Sequence, residues 1–199
     1  MEKLDRSFYM RDGITVAREL IGKRIVSVTD RGVCSGVIVE TEAYMGLIDK
    51  AAHSCRGVTP RTRVLFEDGG RAYIYLIYGM YCCLNVSVNE RGLPECVLIR
   101  ALRPENGIPL MAARRRTEKL TSLCSGPGKL CIALGLEKED SGISLLGDRL
   151  YLTEGEDNDF SIGTSKRINI GYAEEAVDYE WRFFMKDSKF LSVGERKNK

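Results

Sequence analysis

Two carboxylates, one histidine and a run of tyrosines hold most of the chemistry open to this chain. In Val39-Glu40-Thr41-Glu42-Ala43-Tyr44, Glu40 and Glu42 stand two residues apart, and in a strand that spacing turns both side chains to one face. Such a pair is either a solvated strand edge or the seat of a general base, and the pattern leaves both open. His53 is the only histidine. Multi-histidine metal centres are therefore ruled out, and a hydrolase triad lacks a matching serine or cysteine signature. His53 itself reads either as a structural hydrogen-bonding group or as part of a site. Tyr73-Ile74-Tyr75-Leu76-Ile77-Tyr78-Gly79-Met80-Tyr81 holds four of the nine tyrosines. Alternation sends Tyr73 and Tyr75 to one face and Tyr78 to the other, near a turn. Aromatic packing explains part of this run; an apolar or aromatic hairpin tip is also how proteins wedge into stacked bases.

These residues need a scaffold, and the hydrophobic pattern outlines one. Val16, Ala17, Leu20 and Ile21 form an apolar helical stripe with Asp12 as cap and Gly22 as stop. Strands are expected at 24–29 and 33–41 around Asp30-Arg31-Gly32, then at 72–78, 81–88 and 95–102, all antiparallel. The intervening 43–71 reads as a long ordered loop with a helical turn near 49–53, and loops of that length tend to be functional. A helix is expected over 110–123 and another opening at Gly126-Pro127-Gly128. Short strands follow at 143–146, 150–153, 167–170 and 181–185, with a polar tail at 194–199. No repeat or linker divides the 199 residues, so the expectation is one α+β domain: a mostly antiparallel curved sheet with a protruding β-hairpin, flanked by helices.

Bulk properties narrow the classes. No run reaches the ~18 to 20 apolar residues of a membrane span, and the charged start lacks the apolar stretch of a secretion signal. The expected location is the cytoplasm. Seven cysteines, none in a C-x-x-C pair, read as reduced thiols rather than a disulfide or zinc set. Thirty Lys plus Arg against 28 Asp plus Glu leave +2, so any nucleic-acid surface must come from charge placement. The dense cluster Arg114-Arg115-Arg116 reads most simply as a solvated helix face.

Six blocks in order, Glu40–Tyr44, Ala51–Ser54, Thr59–Arg61, Tyr73–Tyr81, Val97–Leu102 and Ser125–Leu130, resemble the alkyladenine, or 3-methyladenine, DNA glycosylases of the mammalian type. The resemblance implies an enzyme of base-excision repair that acts on double-stranded DNA containing damaged purines, as a monomer, without cofactor or metal. Glu42 then matches the general base that deprotonates the water attacking C1′ of a flipped nucleotide. Arg100 matches the residue that positions this water, and Ile168 one whose backbone carbonyl also binds it. Tyr44, His53 and Tyr75 match the walls of the base pocket, where aromatic faces suit positively charged alkylated purines. Asn85 matches a residue that excludes guanine by meeting its exocyclic amine. Tyr78, with Met80 and Tyr81 beside it on the hairpin, matches the side chain that fills the gap in the duplex. Lys129, Thr59 and Arg61 match or suggest contacts to the DNA backbone. No lysine matches a Schiff-base nucleophile, so hydrolysis by water is implied rather than strand cleavage. A binding module that recognises damaged DNA without cutting it is the competing reading. Two departures stand out: the loop between His53 and Thr59 is one residue shorter, and Asn169 replaces a glycine beside the water-binding carbonyl.

Overall fold

Alternation of side chains along five neighbouring strands decides the architecture of this computed structural model, which describes residues 2–155 and 159–194. In chain order the elements are α1 (Arg6–Tyr9), α2 (Gly13–Glu19), β1 (Arg24–Thr29), β2 (Gly32–Tyr44), β3 (Ala72–Ile77), β4 (Tyr81–Val88), β5 (Glu95–Asn106), α3 (Ile108–Arg115), α4 (Leu120–Leu123), α5 (Pro127–Leu134), β6 (Leu150–Thr153), β7 (Ile162–Ser165) and β8 (Arg182–Met185). The strands form one antiparallel sheet in the order β3-β4-β5-β2-β1-β6, with β8 joined to β2 and β7 to β8. β2 is long enough to be shared: 32–37 pair with β1, 40–42 pair with β8, and β5 runs along its other side through two register irregularities near Glu40. Bulges of this kind raise the local twist and curl the sheet. The result is the expected α+β fold, a single domain on a curled antiparallel sheet.

One face of the sheet is the core. Ile38, Ala43, Ile74, Leu84, Val86, Val97 and Ile99 point to it and pack with Val16, Ala17 and Leu20 of α2 and with Met111, Leu130 and Leu134 of α3 and α5. Period-2 alternation then sends Glu40, Glu42, Tyr73, Tyr75, Cys83, Asn85, Leu98 and Arg100 to the opposite face. Asp12 caps α2 through its side chain, accepting from the Thr15 N–H at 2.9 Å.

Several expected elements differ. The helix over 110–123 is two helices, because Arg116 adopts φ 51° and ends α3. Residues 143–146 form only an isolated bridge, Arg71 with Ser144. Residues 167–170 are not a strand either: Asn169 has φ 59°, and the partner of β8 is β7 instead. The loop after β2 carries three short 3-10 turns, Gly46–Ile48, His53–Arg56 and Arg63–Phe66. α1 was not anticipated. Most of the expected tail, 195–199, lies outside the described residues; Gly194 is exposed. All seven cysteines are free, five of them buried. Among the described residues no helix is long and apolar enough to cross a membrane.

Candidate active site

A single cross-strand row organises the site. Tyr73 lies opposite Asn85, Asn85 opposite Leu98, Leu98 opposite Glu42 and Glu42 opposite Arg182, crossing β3, β4, β5, β2 and β8 in turn. Residues two positions along, Tyr75, Cys83, Arg100 and Glu40, flank this row on the same face.

Glu40 and Glu42 are both fully buried, which excludes a solvated edge. They serve different partners. Glu40 accepts from Arg182 Nε at 2.8 Å, from Arg100 Nε at 3.1 Å, and from the Ser192 N–H and hydroxyl at 2.6 and 2.8 Å. It ties β2 and β5 to β8 and the C-terminal segment. Glu42 accepts from the Ile168 N–H at 2.7 Å, the Tyr44 hydroxyl at 2.9 Å and Arg100 Nη1 at 3.3 Å. Burial pushes the Glu42 carboxyl above its ordinary pKa, while Arg100, the Ile168 N–H and the Tyr44 hydroxyl pull it down. Arg100 is held as a cation: burial works against its charge, but Glu42 and then Glu40 outweigh that and raise its pKa.

Ile168 reaches Glu42 because its neighbour is anchored. Arg167 is fully buried and makes a two-point ion pair with Asp49, Nη1 to Oδ2 at 2.5 Å and Nη2 to Oδ1 at 2.8 Å, while donating to the Ala43 carbonyl at 2.9 Å. Its guanidinium lies 4.8 Å from the Tyr44 ring centroid and 5.0 Å from that of Trp181. Nothing in the spacing or the immediate neighbours of Asp49 and Arg167 announces this pair, since a lysine adjoins each in the sequence.

The aromatic residues frame two adjoining spaces. An outer cleft of about 910 Å3 runs from the hairpin to the start of α5, lined by Tyr78, Tyr81, Arg100, Lys129, Ile168 and Asn169 among others. An inner cavity of about 40 Å3 lies among Tyr44, Ala51, His53, Tyr73, Tyr75, Asn85, Cys96 and Tyr172. His53 stands edge-on to Tyr75 with centroids 4.5 Å apart, and its Nδ1 lies 3.0 Å from the Tyr73 hydroxyl. The outer edge of His53 is exposed, but the rest of the ring is enclosed by Tyr73, Tyr75 and Arg61. That loss of solvent, then the Arg61 charge, brings its pKa down to about 4, so the imidazole is neutral at neutral pH. Asn85 is buried on the cavity floor, donating to the Tyr73 carbonyl at 3.1 Å.

Arg61 and Thr59 are both exposed, and each also bonds within the protein. Arg61 Nε donates to the Tyr73 hydroxyl at 3.1 Å and the guanidinium sits 4.8 Å from the Tyr75 ring centroid. Thr59 and Thr62 cap one another's turn, their hydroxyls 2.9 Å apart. At the hairpin tip Tyr78 and Gly79 have φ 53° and 69°, and Tyr78 and Met80 are 78% and 71% exposed, more than any packing role requires. Left-handed backbone is strained for tyrosine, and such outliers cluster at functional positions. Tyr81, at the base of the tip, packs on α5: a Cβ on Gly128 would come within 3.0 Å of the Tyr81 Cβ. Glycine is thus what lets the hairpin meet the helix start. Lys129 is exposed there, its Nζ 3.5 Å from the Ser125 hydroxyl.

Residues not foreseen include Asp49, Arg167, Ser192, Tyr172 and Arg115, which lines the outer cleft and donates to the Leu123 carbonyl at 3.1 Å. Arg114 points inward to the Ala133 carbonyl and the Thr29 hydroxyl, so the arginine cluster is not a solvated face.

Comparison with known proteins identifies the family. The family model described as Methylpurine-DNA glycosylase matches residues 7–189. A protein of Desulfitobacterium hafniense (strain Y51), named "Putative 3-methyladenine DNA glycosylase", is 46% identical over 97% of this chain and 100% of its own length. Proteins of the same name from Alkaliphilus oremlandii and Clostridium acetobutylicum are 46% and 47% identical, each over 96% of this chain and 98% of their own length. These relatives are bacterial, and they lend no support to a specifically mammalian type. With a matching model over most of its length and relatives aligned end to end, this chain belongs to the methylpurine-DNA glycosylase family, a family of DNA glycosylases.

Proposed function

We propose that the protein hydrolyses the N-glycosidic bond of alkylated or deaminated purines extruded from duplex DNA, with 3-methyladenine, 7-methylguanine, hypoxanthine and ethenoadenine as its substrates. Glu42 takes a proton from water as the water oxygen bonds to C1′. The C1′–N bond breaks with its electron pair leaving on the purine, and an abasic sugar remains. Arg100 and the Ile168 segment orient that water, which supplies much of the rate against an oxocarbenium-like sugar. Tyr44, His53 and Tyr75 stack on the base, and a neutral His53 accepts a cationic purine without repelling it. Asn85 reads the purine edge and rejects the exocyclic amine of guanine. Tyr78, flanked by Met80 and Tyr81, fills the vacated stack, while Lys129 and the N-terminal turn of α5 meet a phosphate.

The observation that carries this reading is the environment of Glu42: a fully buried carboxylate held by three donors whose residues, Arg100, Ile168 and Tyr44, all line the cleft. Glu40, two residues away, shares Arg100 with Glu42, but its other partners, Arg182 and Ser192, lie outside the cleft lining. The testing experiment is release of free base from duplexes that each carry one defined lesion. Release of purines but of no ordinary base supports the assignment, and binding without release favours the non-cutting module.

A further inference from the structure

The inner cavity and the outer cleft have four lining residues in common: Tyr44, His53, Tyr75 and Tyr172. These rings stand at the boundary between the two spaces. Three of them are walls already assigned to the purine. Tyr172 is the fourth, and neither the pattern of residues nor the family resemblance marked it.

The backbone presents Tyr172 deliberately. The Ala173 N–H donates to the Ile170 carbonyl at 2.9 Å, closing a tight turn whose two ends, Ile170 and Ala173, are buried against Ala51 and Ala176. Gly171 and Tyr172 occupy the tip of this turn, and the Tyr172 ring is left 69% exposed at the rim of the cleft. Exposing an aromatic ring forgoes hydrophobic free energy that a stacked base would return.

The inner cavity is too small to hold a purine as it stands. At about 40 Å3 it admits a water but not a purine, so a ring must shift before a base can enter. Three of the four are held: Tyr44 donates to Glu42, His53 is bonded to Tyr73, and Tyr75 is wedged between His53 and Arg61. Among the described residues the Tyr172 hydroxyl has no hydrogen-bond partner and its ring no aromatic contact. Moving it costs least.

We infer that Tyr172 is the movable wall of the purine pocket, swinging aside to admit the extruded base and then stacking on it. This rests on the glycosylase reading above. Because any electron-rich ring holds a cationic base more tightly than a neutral one, Tyr172 favours 7-methylguanine over hypoxanthine.

Single-turnover base release and binding by Tyr172→Ala and Tyr172→Phe test it. With Tyr172→Ala, kcat/KM for 7-methylguanine falls about 5- to 150-fold, the range for losing one stacked base contact, and falls less for hypoxanthine. Affinity for a duplex carrying a tetrahydrofuran abasic analogue, which has no base to stack, stays within about twofold, and Tyr172→Phe recovers most of the release. The inference is overturned if Tyr172→Ala matches the wild type on both lesions, if abasic-analogue binding falls in parallel, or if Phe is as poor as Ala. Glu42→Gln, run alongside, separates the two levels. A wild type that releases no purine, or a Glu42→Gln variant that still does, defeats the glycosylase mechanism; an active wild type with a silent Tyr172→Ala defeats only the role of Tyr172.

Discussion

Glu42 and Asn85 face the same residue, Leu98, from opposite sides of β5. They are therefore two strand spacings apart in one row of the sheet, about 10 Å. The proposed base for water and the proposed reader of the purine edge are thus fixed relative to one another by backbone hydrogen bonds rather than by loops. Asn85→Ala leaves this frame in place, since only side-chain contacts, to the Tyr73 carbonyl and from the Cys96 thiol, are lost. Release of hypoxanthine should persist in that variant while release of undamaged guanine becomes measurable. Guanine that stays untouched in a long incubation would deny Asn85 the excluding role.

The ionisation of Glu42 should appear in the pH profile. Its carboxyl is raised by burial and lowered by Arg100, the Ile168 N–H and the Tyr44 hydroxyl, and the carboxylate is the active form. Release therefore climbs with pH through a value above the ordinary carboxylate range. Tyr44→Phe keeps the ring but removes one group that stabilises the anion, which moves the climb to higher pH. The deficit should be largest in acid and shrink as pH rises; the same deficit at every pH would mean that the hydroxyl does not act through Glu42.

His53 gives one imidazole signal in an NMR titration, because the chain has no other histidine. Burial and the Arg61 charge place its midpoint at about 4 rather than near 6.5. Arg61→Ala removes the lowering charge and should bring the midpoint up toward 6.5. A protonated His53 then repels cationic 7-methylguanine, so the variant loses release relative to the wild type as pH falls below about 6.5. A midpoint near 6.5 in the wild type would contradict the enclosed, neutral ring.

Breaking the Arg167–Asp49 pair should cost far more than breaking a surface pair. Both side chains are fully buried, and removing one partner strands a charge, which costs about 3–5 kcal/mol in urea unfolding for Asp49→Ala. Glu19→Ala, which breaks an exposed pair with Arg11, should cost within about 1 kcal/mol. Equal losses would show that Arg167 is not the anchor of the Ile168 segment.

Much of this site could be read from the chain before any coordinates, for a physical reason. β3 is an alternating run bounded by turn residues, so Tyr73 and Tyr75 fall on one face by period 2, whereas Asn85 and Arg100 were implied by the resemblance and share that face only through the strand register. The separation of Glu40 from Glu42 could not be read that way. It depends on Arg182 and Ser192, more than 140 residues on, and local patterning carries no trace of such partners. The expected strand at 167–170 failed because its alternating apolar residues hide a left-handed Asn169, an L residue in a conformation that no periodicity reports. Arg116 broke an expected helix in the same manner.

At the hairpin tip, Tyr78→Ser should weaken base extrusion while sparing the chemical step for a base already out of the stack. Ethenoadenine fluorescence in a duplex follows extrusion directly. Equal extrusion by wild type and variant would refute the wedge.

The most direct test of the whole account is single-turnover release of hypoxanthine from a duplex by Glu42→Gln, with binding measured on the same DNA. Glutamine keeps the shape of the side chain and acceptors for the Ile168 N–H, but cannot take a proton from water. Release should drop by about 10^2 to 10^4 or more while lesion binding is kept. Release at the wild-type rate would contradict the assignment of Glu42 as the base.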